Sequence, residues 1–223
     1  MKTKEMIRKE AIYALKKRKK YQIRYYSKLV NNHLTALINT IKIKNKSILF
    51  YLPMDHEADI VPSLYYFRQK CKVYVPFMEN VSFKMVAYRL PLKAGRFGIR
   101  EPRVTKTNIR NIEIIVVPII AVDKVFKRVG FGKGMYDRFY EKLNKKPIVI
   151  FVQPFPIYSN TQVTEKHDIA GDYLVTYRGI LQKEVRNGDR SYRRQWDKRS
   201  SRMVSYKEIP FRQIQFFSSR CKS

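Results

Sequence analysis

"IEIIVVPII", Ile112–Ile120, is the most apolar strand-length segment of the 223-residue chain. It is too short for a membrane span, which needs ~18 apolar residues, and it carries no alternation of polar and apolar side chains. That pattern predicts a strand buried on both faces, as in the interior of a parallel sheet. On its N-terminal side, "SILFYLP" (Ser47–Pro53) and "KVYVPFM" (Lys72–Met78) are two further short apolar runs, each read as a strand ended by proline. Between them "DIVPSLYYFRQK" (Asp59–Lys70) sets Ile60, Leu64 and Phe67 on one helical face, with Pro62 near the start where a helix tolerates it. Strand, helix and strand make a βαβ unit.

The remaining segments extend the same layered pattern. "SFKMVAY" (Ser82–Tyr88) reads as an edge strand and "KAGRFGIREP" (Lys93–Pro102) as a loop punctuated by Gly and Pro. "PIVIFVQ" (Pro147–Gln153) and "DYLVT" (Asp172–Thr176) supply the last strands. Before the first strand, Ile7, Ala11, Ala14 and Leu15 form one helical stripe, and Leu29, Leu34, Leu37, Ile38 and Ile41 form another. A break at "KKRKKY" separates these two helices. The fold class expected is α/β: a layered α/β/α domain with a mainly parallel sheet and an N-terminal helical segment. Past about Thr176 the chain turns basic and polar without sustained period, so residues 1–178 are read as the domain and 179–223 as a basic, disordered tail.

Charge narrows the partners. Lys and Arg number 47 against 18 Asp and Glu, a formal charge of +29, which favours nucleic acid, acidic lipid or a polyanionic small molecule. A compositional lean of the source toward Lys, Ile, Tyr and Asn accounts for the same excess equally well. Cys71 and Cys221 lie far apart with no metal-ligand spacing, so neither a disulfide framework nor a zinc site is indicated. The charged amino terminus lacks the apolar core of a signal peptide. A cytoplasmic location is the expectation.

The segment "KRVGFGKGMYDRFYEKL", Lys127–Leu143, follows the apolar strand and carries the chemistry. Gly130, Gly132 and Gly134 would let backbone amides approach an anion, with Tyr136, Phe139, Tyr140 and Leu143 on the apolar face of the following helix. Lys133 adds a mobile charge and Arg128 a planar fork. Asp137 either complements the helix dipole or, beside bound phosphate, requires a divalent cation between them. The spacing fits neither the Walker A nor the dinucleotide pattern, and an ordinary glycine-rich connection remains the alternative on spacing alone.

The longer string "VPIIAVDKVFKRVGFGKGMYDRF", Val117–Phe139, resembles the signature of the 5-formyltetrahydrofolate cyclo-ligase family, also called 5,10-methenyltetrahydrofolate synthetase. Pro118, Asp123, Arg128, Gly130, Gly132, Lys133, Gly134, Tyr136 and Asp137 all fall in place. Ile119, Val122 and Met135 depart from the pattern, Met135 standing where the family carries a tyrosine. "YLPMDHEADI" is similar to the family's substrate loop, "FGIREP" to its Gly-Ile-x-Glu-Pro segment and "HDIAGDYLVT" to its terminal Asp-x-x-x-Asp segment. The resemblance runs from Lys4 to about Thr176.

It implies an ATP- and Mg²⁺-dependent ligase. The formyl oxygen of 5-formyltetrahydrofolate is phosphorylated, a folate amine nitrogen closes the ring, and phosphate leaves to give 5,10-methenyltetrahydrofolate with ADP. It further implies Lys133 and Arg128 in catalysis. ATP falls to Lys4, Arg8, Arg128, Gly130, Gly132, Lys133, Gly134, Met135 and Tyr136, and the folate, with or without a polyglutamate chain, to Leu52, Glu57, Met135 and Tyr136. Asp137 and Asp168 would serve the metal, and the protein would be a monomer with no membrane attachment. A nucleic-acid-binding protein on a related scaffold, using the basic tail and lacking ligase activity, stays open as the alternative.

Overall fold

A computed structural model describes residues 2–42, 46–79, 82–94, 100–102 and 111–183. The chain opens with two helices, α1 (Lys4–Lys16) and α2 (Lys20–Thr40), broken at the basic junction where the sequence places the break. Thr3 caps α1, its hydroxyl accepting from Met6 N at 3.3 Å. Then come β1 (Ser47–Leu49), α3 (Val61–Arg68), β2 (Lys72–Glu79), β3 (Ser82–Ala87), β4 (Leu92–Ala94), β5 (Arg100–Pro102) and β6 (Ile114–Pro118). The rest are β7 (Ala121–Val122), β8 (Arg128–Val129), α4 (Met135–Glu141), β9 (Ile148–Val152), β10 (Tyr173–Thr176) and β11 (Gly179–Gln182).

Seven strands form the main sheet in the order β11-β10-β9-β6-β1-β2-β3. The five inner strands run parallel, and β3 and β11 close the edges antiparallel. The expected α/β class with a mainly parallel sheet is the class observed. The apolar run Ile112–Ile120 lies at the centre, and its two faces serve two cores. Ile114 and Val116 pack with Leu34, Leu37 and Ile38 of α2 and Leu64 and Phe67 of α3, whereas Ile115 and Val117 pack with Phe139 and Leu143 on the α4 side. Ile150 and Val152 against Val149 and Phe151 repeat the division in β9.

Four expectations are corrected. Pro76 does not end its strand, because Tyr88 N donates to Val73 O and the hydrogen-bonded pairs with β3 therefore fall on Val73, Val75 and Phe77. The Pro76 nitrogen points away from β3, past the end of β1, where no donor is required. Both ends of the Lys93–Pro102 loop pair as the β4–β5 ribbon, and residues 95–99 between them lie outside the described residues. The glycine segment does not follow the central strand directly, since the β7–β8 hairpin intervenes, turning at Phe126 with φ 62°. Finally, the boundary at 178/179 falls in the turn of a β-hairpin. Gly179 enters β11 with φ +136°, which an L side chain rarely adopts, and all four residues of β11 pair with β10. The compact unit therefore runs from Met1 to Lys183, and the expected tail beyond it lies outside the described residues.

Candidate active site

Helix α1 carries cations to the glycine segment by burying its other face. Ile7, Ala11 and Leu15 pack with Ile120, Ala121 and Val129 of the hairpin region. Lys4 and Arg8, one turn apart, then face the loop. Arg8 Nε donates to the Gly130 carbonyl at 2.9 Å, and its guanidinium lies about 3.5 Å from where a Cβ on Gly132 would sit. Lys4 Nζ donates to both oxygens of Asp168, at 2.7 and 2.6 Å.

Arg128, buried in the second strand of the hairpin, forms a two-pronged pair with Asp137. Its Nε donates to Oδ1 at 2.9 Å while Nη2 meets Oδ2, and Oδ1 also accepts from Ile169 N at 3.1 Å. A Cβ on Gly130 would displace the Arg128 guanidinium from its present position against Asp137. Gly132 (φ +100°) and Gly134 (φ +58°) use the left-handed region that glycine permits, and Gly134 caps α4. Lys133 is exposed, and its carbonyl accepts from Arg138 Nη2.

These residues border a cleft of about 290 Å³ lined by Lys4, Arg8, Arg128, the three glycines, Asp137, Arg138, Glu141, His167 and Asp168. Its walls are cationic, backbone-rich surface with four Lys or Arg side chains against three carboxylates, Asp137, Glu141 and Asp168, which suits a polyphosphate. Burial would raise the Asp168 carboxyl, but hydrogen bonds from Lys4 and Glu165 N (2.7 Å) outweigh it and hold the group below its ordinary range.

The expected folate residues Leu52, Glu57, Met135 and Tyr136 are not among this cleft's lining and lie at the 52–57 turn and the start of α4. Leu52 and Glu57 are both buried. The Met54 N–H donates to Glu57 Oε2 at 2.9 Å and the Glu57 N–H to Met54 O at 2.9 Å, closing a tight turn. Burial pushes the Glu57 carboxyl up to about 7, only partly offset by the Met54 hydrogen bond. Burial, and then the Glu57 charge, raise the Tyr136 hydroxyl well above the ordinary tyrosine range. Tyr51 is raised by the same causes and donates to Ala58 O at 2.7 Å. Met135 packs against the apolar cluster of the α4 face. The Tyr136 ring centroid lies 5.7 Å from the Arg128 guanidinium carbon, and its ring packs against both core clusters.

Of the expected residues, the cleft gathers Lys4, Arg8, Arg128, Gly130, Gly132, Gly134, Asp137 and Asp168; Lys133, Met135 and Tyr136 are not among its lining. Among the described residues no group of three or more metal-ligating side chains is assembled, and both expected metal ligands are paired with cations. Arg138, Glu141 and His167 line the cleft without having been expected. The available signal was position: Arg138 and His167 adjoin Asp137 and Asp168, and Glu141 stands one helical turn after Asp137. Asp123, matched to the signature without a role, is structural: buried, it accepts from the N–H groups of Val125, Lys127, Val163 and Thr164, tying the hairpin turn to the 163–164 segment.

A parallel α/β sheet with a glycine loop, buried Arg and paired carboxylates at one cleft defines a nucleotide-using α/β enzyme scaffold. Comparison makes the class specific. The family model of the 5-formyltetrahydrofolate cyclo-ligase family matches residues 1–169, and the chain belongs to that family. The 5-formyltetrahydrofolate cyclo-ligase of Haemophilus influenzae is 28% identical over 131 residues, 54% of this chain and 68% of that protein. That of Mycolicibacterium smegmatis is 27% identical over 163 residues, 66% of this chain and 82% of the relative. The solution structure of Aquifex aeolicus 5,10-methenyltetrahydrofolate synthetase superposes with a TM-score of 0.69 at 25% identity, covering 86% of this chain and 99% of that one. A synthetase from Mycoplasma pneumoniae, at 16% identity and a TM-score of 0.62, shares the fold. No helix among the described residues is long and apolar enough to cross a membrane.

Proposed function

We propose that the chain converts 5-formyltetrahydrofolate to 5,10-methenyltetrahydrofolate at the expense of ATP, releasing ADP and phosphate. The observation that carries this reading is the place of Tyr136: its ring lies 5.7 Å from the guanidinium carbon of Arg128 in the phosphate-suited cleft, and its hydroxyl feels the charge of buried Glu57. A reaction that transfers a phosphoryl group onto a folate oxygen needs the phosphate-binding and folate-orienting groups side by side.

In this reading Arg8, Arg128, Lys133 and the loop amides hold and neutralise the phosphates while Leu52, Glu57 and Tyr136 orient the folate. With the formyl oxygen aligned to the terminal phosphorus, ADP leaves as the oxygen–phosphorus bond forms. The folate amine nitrogen then bonds to the formyl carbon and gives up its proton, and the formyl carbon–oxygen bond breaks as phosphate departs with that oxygen. Neutral Glu57 can donate a hydrogen bond to the folate, whereas ionised Glu57 only accepts.

Mg²⁺ fits the donor set. Asp137 and Asp168 border one cleft, and a magnesium site in a nucleotide enzyme uses one or two carboxylates, completing its shell with phosphate and water. Bound there, the ion would neutralise phosphate charge. The two carboxylates' present partners, Arg128 and Lys4, are themselves phosphate-binding groups, so nucleotide and metal together can replace the two ion pairs without leaving an unpaired charge. The test is purified protein with ATP, Mg²⁺ and 5-formyltetrahydrofolate, following the methenyl product by absorbance. Folded protein that gives no product while a control enzyme does would refute the assignment.

A further inference from the structure

His56 and Phe131 have no role in the proposed reaction, yet they join the Met54–Glu57 turn to the glycine loop. His56 lies within the hydrogen-bonded turn between Met54 and Glu57. Its ring stands edge-on to Phe131, with centroids 4.6 Å apart and planes at 66°. The His56 Nε2 atom is buried and has no hydrogen-bond partner, so the ring is oriented by packing, and burial keeps it neutral. Phe131 is the side chain between Gly130 and Gly132, and it remains 38% exposed.

The other braces of the glycine loop are polar and come from the phosphate side. Arg8 holds the Gly130 carbonyl and Arg138 the Lys133 carbonyl. With glycines in the left-handed region at 132 and 134, the loop has little conformational restraint of its own. The His56–Phe131 contact ties the loop to the Glu57 turn.

We propose that His56 is a positioning residue: through Phe131 it couples occupation of the Glu57 surface to the geometry of the Gly130–Gly134 loop, so that folate and nucleotide each tighten the other's binding. This rests on the cyclo-ligase reading above. Coupling of this kind is reciprocal and spans about 5- to 150-fold in related settings. A residue serving only stability would alter melting and leave the coupling untouched.

The experiment measures the dissociation constant of a non-hydrolysable ATP analogue by calorimetry, with and without saturating 5-formyltetrahydrofolate. The full chain should bind the analogue at least about fivefold more tightly with folate present. His56→Ala and Phe131→Ala should each bring that ratio to within about twofold of one, with the double variant no different from either, while each ligand alone binds within about threefold of the parent. His56→Phe, which keeps a ring, should retain the coupling and serves as the folded control. A His56→Ala protein with the parent's ratio overturns the proposal, as does a parent that binds both ligands independently. If the parent couples the two ligands but forms no methenyl product, the coupling stands and the reaction assignment falls. If it binds neither ligand, both fall.

Discussion

Replacing Asp137 by Asn tests the central ion pair without changing its shape. The Arg128 and Asp137 side chains are 7% and 11% exposed, so the substitution leaves a guanidinium out of water with its counter-charge removed. Breaking a buried pair this way costs about 3–5 kcal/mol. The Asn carbonyl can still accept one of the two hydrogen bonds, which favours the lower end, about 3 kcal/mol. At about 2–4 °C per kcal/mol for a chain of this size, melting should fall by about 6–12 °C. Nucleotide should respond in the opposite sense. In the parent, Asp137 occupies Arg128 and repels phosphate unless a metal intervenes; in the variant the repulsion is gone and a single hydrogen bond to a neutral amide holds Arg128 far less firmly. ATP with EDTA should therefore bind Asp137→Asn more tightly than the parent, and the gain from added Mg²⁺ should shrink. Thermal melts and calorimetry, each with EDTA and with MgCl₂, read both effects. A melting point within about 2 °C of the parent, or metal-free ATP binding no tighter in the variant, would refute the reasoning.

Glu57 gives a pH signature: its carboxyl moves from 4.5 to about 7 on folding, so the folded state holds a proton the unfolded state has released. Stability should therefore decline as pH rises from about 4.5 to about 7, by up to about 3 kcal/mol, and Glu57→Gln should abolish that slope in denaturant titrations. Lys133→Ala, exposed and on the loop, should leave melting unchanged while slowing turnover by about 30- to 1000-fold, the usual cost of about 2–4 kcal/mol for an electrostatic contact to the transition state; wild-type turnover would remove Lys133 from the reaction. Truncation after Lys183 should preserve the melting temperature, whereas truncation after Thr176 should lower it by several degrees by stripping β11 from the edge of β10. Equal melting of the two truncations would show that β11 adds nothing to the domain.

Local periodicity and proline placement were enough to read α1, α2, α3 and the inner strands, because each buries a face whose pattern is written in consecutive residues. Ile114 to Val117 needed only their own hydrophobicity to mark a strand between two helical layers. The string from Arg128 to Asp137 likewise carried the family resemblance, since glycines that a phosphate loop requires are local demands on φ and on space. Short pairings escaped that reading. β7 with β8 and β10 with β11 contribute two and four residues a side, and such ribbons gain their stability from what they pack against rather than from a pattern of their own. The ion pairs escaped it too. Lys4 meets Asp168 across 164 positions, and Asp137 meets Arg128 before any metal. Sequence identifies residue types able to bind phosphate and magnesium, but which charges neutralise one another depends on distances of a few ångströms that only the packed hairpin, α1 and the 165–169 segment create.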